Sequence, residues 1–332
     1  MRLRQVLTPA LFGLSIGWFA CACGSEAETL ALVADVPLSG PAVRFDYQSL
    51  DVSHNRLYIA HMNAGQLVVF DTKGRSVVAT LDGFPSVHGV IAVPQLQRVY
   101  ASATGEHKVA VVDSESLKII GKAGPIRYPD GLAYAPGVKR VFVSDEHGDA
   151  DAVIDATTNA LVKAIPLGGD AGNTVYDSGS GKILVAVGKK NELVAIDPAA
   201  ANITGRYPLP GVEGAHGVVL DETARLAFVA GEDNGKLAVL DLSTMRVLGT
   251  YAVGRDPDVL AFDAGLKTLY VAAESGEVTV FRENGKALVL KGTIKMPYAH
   301  TVCVDPQTHL VYFPLQNLNG HPVLRIMRPA EN

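Results

Sequence analysis

The chain is predicted to be all-β, a seven-bladed β-propeller with four antiparallel strands per blade. Three observations predict it. A large apolar residue recurs at one phase, at Tyr58, Tyr100, Phe142, Leu184, Phe228, Tyr270 and Tyr312, with intervals of 42 residues and a single interval of 44. A polar column, Asp46, His88, Asp130, Gly172 (with Asn173 next), His216, Asp258 and His300, keeps the same intervals and the same two-residue insertion. Between the columns run short stretches rich in Val, Ile and Ala, separated by Gly, Pro, Asp and Asn, with no sustained helical spacing.

The second repeat gives the elements of one blade in order. Gly89–Val93 reads as the first strand and Pro94 ends it; Arg98–Ser102 is the second. Lys108–Val112 is the third, stopped by Asp113, and Lys118–Gly121 begins the fourth. Their nearly continuous apolarity suits strands covered on both faces by neighbouring blades. Asp71, Asp113, Asp155, Asp197 and Asp241 each close a third strand before a short polar turn. A carboxylate there accepts hydrogen bonds from the backbone two residues on, so these are turn formers rather than catalysts.

The seventh repeat supplies strands from Thr301, at His309–Phe313 and at Val323–Met327, and then the chain ends. Leu32–Leu38 matches Leu161–Leu167, the fourth strand of the third repeat. The N-terminal strand is therefore expected to close the last blade and to pair two edges that would otherwise stay open.

Residues 1–22 read as an export signal: Arg2 and Arg4, an apolar run from Val6 to Ala20, and a small-residue cleavage site at Ala20-Cys21-Ala22. Residues 23–28 form a short linker and 29–329 a single propeller domain. Cys23-Gly24-Ser25 fits the start of a mature bacterial lipoprotein, which predicts lipidation at Cys23 and an outer-membrane anchor. Simple secretion to the periplasm is the alternative, because Ala20 stands where such signals usually carry Leu. Only Cys303 lies within the repeats, so no disulfide framework is expected, and it reads as a small buried hydrophobe. Net charge is −5 and basic runs are confined to the extreme N-terminus, while aromatic residues make up 7% of the chain. Nucleic acid is not an expected partner. The protein is expected to be a monomer that meets a membrane only through its N-terminal lipid.

Several segments carry a family resemblance: Pro129-Asp130-Gly131-Leu132, Arg56-Leu57-Tyr58-Ile59-Ala60, Arg140-Val141-Phe142-Val143-Ser144 and Val153-Ile154-Asp155. They resemble the repeats of the YVTN-type, YncE-like propellers, a group of exported bacterial proteins. The resemblance covers about residues 29–328. It implies the propeller fold and a binding or surface role, and it assigns no reaction. The group also looks related to propeller modules that hold haem, but no C-x-x-C-H attachment motif occurs here.

In propellers the first strand of each blade lines the central channel. The polar column thus brings Asp46, His88, Asp130, Asn173, His216, Asp258 and His300 to one channel mouth as the candidate ligand-binding residues. Crowded carboxylates make simultaneous ionisation costly, and a bound cation relieves that cost. Asp with neutral His is an ordinary ligand set for a divalent metal, which makes His88, His216 and His300 candidate metal ligands. The competing reading is turn chemistry, because Gly89, Gly131 and Gly217 directly follow ring members.

Loops after the second strands are expected to rim the same face with His61, Asn63, Glu106, His107, Asp145, Glu146, His147, Asp149, Asp151, Glu232, Asp233, Glu274, Asn317, Asn319 and His321. The Asp145–Asp151 run lacks EF-hand spacing and reads as a solvated acidic loop. On the opposite face Arg56, Arg98, Arg140, Lys182 and Arg225 are expected to pair with neighbouring Asp residues. The sequence thus describes an extracytoplasmic binding or scaffold protein that takes a small ligand, a cation or a protein partner on an acidic channel face. The alternative is a metal-assisted lyase or lactone hydrolase at the channel mouth. Polar groups spread around the whole ring, rather than gathered on two blades, favour binding.

Overall fold

The computed structural model describes residues 29–330, so the export-signal reading of 1–22 and the lipidation reading of Cys23 lie outside the described residues. The described residues form seven antiparallel four-stranded sheets arranged as blades. The inner strands are Gln48–Asp51, Val87–Val93, Pro129–Ala135, Ala171–Asp177, Ala215–Asp221, Pro257–Asp263 and Cys303–Val304, in blades 1 to 7. In blades 1 to 6 the chain then runs outward strand by strand. Among the described residues the helices are single 3-10 turns, as expected for a chain without helical periodicity.

Blade 7 closes as its sequence requires. Leu30–Pro37 pairs antiparallel with His321–Pro329, with Leu30 opposite Pro329 and Pro37 opposite Val323. Arg325 reinforces the seam with two hydrogen bonds to Asp35, at 2.8 and 2.7 Å.

The core lies between blades rather than inside them. Seven buried clusters each join one blade to the next around the ring. The recurring apolar column explains this arrangement. Tyr58 packs with Val87, Val99 and Ala110 of blade 2, Phe142 with Ile183 and Val185 of blade 4, and Tyr312 with Leu57 and Phe70 of blade 1. An antiparallel sheet with two apolar faces is stable in water only when both are covered, and a ring covers every face.

The third-strand aspartates behave as turn formers. Asp71 Oδ1 accepts from the amides of Lys73 and Gly74, and Asp155 Oδ1 from those of Thr157 and Thr158. The basic residues of that face differ from expectation. Arg56, Arg98 and Arg140 donate to backbone carbonyls in the next blade's turn, at Ser114, Ala156, and Pro198 with Ala199. Each guanidinium therefore satisfies carbonyls that the tight turn leaves unpaired and ties two blades together. Lys182 does pair with Asp197 of its own blade, at 2.7 Å.

Candidate functional site

The polar column reaches the channel mouth because of a local irregularity. In blades 2 to 6 the inner strand slips register near its start; Pro129 faces Asp145, for example, but Leu132 faces Val143. Such a bulge inserts one unpaired residue and re-aims its neighbours. Asp130, His88, His216 and Asp258 all occupy these bulges.

The glycines after them serve close packing rather than turns. A Cβ on Gly89 would lie 2.0 Å from the Asp130 carbonyl oxygen, and one on Gly217 would lie 2.1 Å from that of Asp258. Each glycine lets the backbone of the next blade's ring aspartate approach.

A cavity of about 250 Å³ opens at this mouth. Asp46, Asp130 and Asp258 line it with Glu146, Glu232 and Glu274 from the loops, beside His88, His216, Arg44, Tyr47, Tyr128 and Met62. His300 is not in that lining, but its Nε2 lies 3.8 Å from Asp46 Oδ1 and 4.0 Å from Asp258 Oδ2. Asn173 sits elsewhere. It lines a second cavity, of about 300 Å³, formed by the apolar inner strands deeper in the channel. Tyr47 contributes to both cavities.

The three histidines do not converge on one ion. His88 has both nitrogens engaged, Nδ1 with the Ser86 carbonyl at 2.7 Å and Nε2 with the Tyr128 hydroxyl at 3.1 Å. His216 stands between carboxylates, with Nδ1 3.5 Å from Glu232 and Nε2 3.6 Å from Asp258. Among the described residues, the groupings able to hold a metal contain one histidine each: Asp46, Asp258 and His300, or His216, Glu232 and Asp258.

Mutual repulsion shapes the charge state. Burial, then the nearby Asp46 charge, pushes the Asp130 carboxyl well above the usual carboxylate range, and the same two causes raise Asp258. Glu232 is pushed up to about 7, chiefly by burial. Burial opposes charge on His216, yet Glu232, Asp258 and Asp130 outweigh it and raise the imidazole to about 9. Asp46 goes the other way: burial opposes its ionisation, but His300 holds it below the usual range. Burial and crowding thus push the Asp130, Asp258 and Glu232 carboxyls towards their protonated forms, and Arg44 is the one guanidinium in the lining. Arg44 is already committed to Glu274 at 2.8 Å.

Glu146, Glu232 and Glu274 were foreseen only as loop charge, and Arg44, Tyr47, Met62 and Tyr128 were missed. Glu146, Glu232 and Glu274 each stand four residues after a member of the apolar column, a register that Met62, Thr104 and Gly188 interrupt. Tyr128 and Arg44 precede ring aspartates by two positions, a second upstream register that could have revealed them. Asp151, expected in the acidic rim, is instead wholly buried between blades 3 and 4. Asp51, Ser53 and His54 imitate a catalytic triad in one turn, but Ser53 and Asp51 both bond His54 Nδ1, so no relay exists.

No protein-family model matches the chain. Two curated proteins, both described as uncharacterized protein YncE, from Salmonella typhimurium and Salmonella typhi, are 25% identical to it over 218 residues. The match covers 61% of this chain and spans 60% of the relatives' own length. Among solved structures, Kuenenia stuttgartiensis hydrazine synthase superposes with a TM-score of 0.75 at 14% identity, covering 93% of this chain and 99% of that one. That likeness is one of fold.

Proposed function

We propose that this YncE-like seven-bladed propeller is an exported binding protein that takes a small cation in its acidic channel-mouth pocket. One observation carries the reading. Six carboxylates from blades 1, 3, 5 and 6 line one cavity, and Arg44 is the single permanent cation among them. Low-dielectric walls focus such a field, so a ligand of opposite charge gains both attraction and relief of carboxylate repulsion. A cavity near 250 Å³ suits an ion or a small amine rather than a folded partner. Export is supported by the basic start and apolar run of residues 1–22, and attachment to a membrane by Cys23-Gly24-Ser25.

Thermal unfolding of the purified protein with putrescine, spermidine, zinc or manganese, against acetate and phosphate, tests the pocket. Cations are expected to raise the midpoint and anions to leave it unchanged. The gain from the amines should shrink when Glu146, Glu232 and Glu274 are all changed to Gln. If no cation of either class shifts the midpoint, the reading fails.

A further inference from the structure

We propose that Asp46, Asp258 and His300 form a site for one divalent transition-metal ion, with zinc or manganese fitting best. The inference rests on the reading of the pocket as a cation site and names the atoms that do the binding.

Three buried donors from blades 1, 6 and 7 meet here, and Asp46, His300 and Asp258 are 2, 7 and 5% exposed. His300 offers one and the same nitrogen, Nε2, to both carboxylates, 3.8 Å from Asp46 Oδ1 and 4.0 Å from Asp258 Oδ2. All three donor atoms lie within 4.8 Å of one another. An ion near the centre of such a triangle stands roughly 2.2–2.5 Å from each donor, so small side-chain shifts reach ordinary metal–ligand lengths.

A second observation points independently to a ligand. Asp46 Oδ1 and His300 Nε2 are buried and have no hydrogen-bond partner. Buried polar atoms are almost always satisfied, and here the two unpaired atoms are the ones that face each other across the gap. At 3.8 Å they are too far apart to bond directly, and an ion between them satisfies both.

The competing group, His216 with Glu232 and Asp258, is less suited. His216 turns Nδ1 to Glu232 and Nε2 to Asp258, and opposite ring nitrogens cannot share an ion. His216 instead links the two carboxylates. The imidazole suits zinc and the two carboxylates suit zinc or manganese, whereas magnesium and calcium prefer all-oxygen sets. Arg44 is the local competitor, with Nη2 3.9 Å from the Asp258 Oδ2 that the ion would use.

Calorimetric titration of chelator-treated protein with zinc chloride and manganese chloride tests the site, and putrescine serves as the amine probe. One ion per chain is expected. Asp46→Asn and His300→Gln should each weaken metal binding roughly tenfold or more. His309→Gln, a histidine already paired with Asp263 at 2.8 Å, should leave it unchanged and so excludes adventitious histidine binding. Arg44→Gln keeps every donor and should tighten binding about fivefold. Undiminished metal binding by Asp46→Asn and His300→Gln would overturn the site. Putrescine binding without metal binding would overturn it too, while leaving the cation pocket standing. Should either donor variant unfold, Arg44→Gln decides: weaker or unchanged metal binding counts against the site.

Discussion

Arg225, in the turn leading into the second strand of blade 5, forks onto Asp177 of blade 4, one terminal nitrogen on each carboxylate oxygen. Asp177 ends its inner strand almost wholly buried, and it also accepts from Ser180 Oγ at 2.5 Å and the Gly179 amide at 3.1 Å. The pair crosses a blade boundary where the ring has no backbone pairing.

Changing Arg225 to Ala leaves a buried carboxylate short of its charge partner, and about 2 kcal/mol of stability should be lost. Denaturant unfolding measures it as a lower midpoint at unchanged slope. Burial works against the Asp177 charge, but Arg225 and Ser180 hold its pKa below the ordinary value. Its contribution is therefore fully present above ~pH 4 and disappears as pH falls through the folded pKa. A penalty that persists undiminished at ~pH 2.5 would refute this account.

Asp151 carries the opposite sign. Its column in the third strands reads Leu67, Val109, Asp151, Leu193, Leu237 and Val278, all buried, and burial pushes its carboxyl up to about 7. The folded state then holds a proton that the unfolded chain has released, so stability falls as pH rises from ~4 to ~7. Asp151→Leu should stabilise the ring by on the order of 2 kcal/mol at ~pH 8. That gain should shrink steadily towards ~pH 4, which melting curves across this range will show or deny.

Removal of the closing strand has a plain expectation. A chain starting at Gly40 leaves the edge of His321–Pro329 unpaired and loses the Asp35–Arg325 contact. It should melt lower and aggregate. Melting within error of the chain that retains residues 29–39 would mean that this strand contributes nothing to closure.

Gly217→Ala tests the close approach at the bulge. Its Cβ would stand 2.1 Å from the Asp258 carbonyl oxygen and 2.5 Å from a Leu260 methyl carbon. Backbone must move, at a cost of roughly 2 kcal/mol, and Asp258 must move with it. Gly137→Ala, which meets nothing within 4 Å, is the control. Both stability and cation binding should fall in the first variant and hold in the second.

Much of the fold was legible because one period fixed it. The third strand expected at Lys108–Val112 is observed at Lys108–Asp113, and Leu32–Leu38 is observed as Leu30–Pro37 in the seam it was assigned. The site was legible in its inner ring and less so beyond. A period names equivalent positions, but it does not say how deep each side chain sits. Asn173 stands one residue past the column, whose own member there is Gly172, and lines the channel instead of the mouth, while His88 proved tied to Tyr128. The arginine ties were illegible for a different reason: their partners at Ser114, Ala156 and Pro198 are carbonyl groups, which every residue possesses.

The seam between Leu30–Pro37 and His321–Pro329 also sets when the molecule can become itself. Asp35 and Arg325 are 290 residues apart in sequence, so closure joins the first strand made to the last. A linear array of repeats can zip from any nucleus and fray from its ends. A ring sealed in this way offers no end to fray, and its last step is the least local contact in the chain, which topology makes slow. Until that step, blades 1 and 7 each expose a face that only the other can cover. The ring therefore cannot exist until residues 29–330 are all present and their two end strands have met.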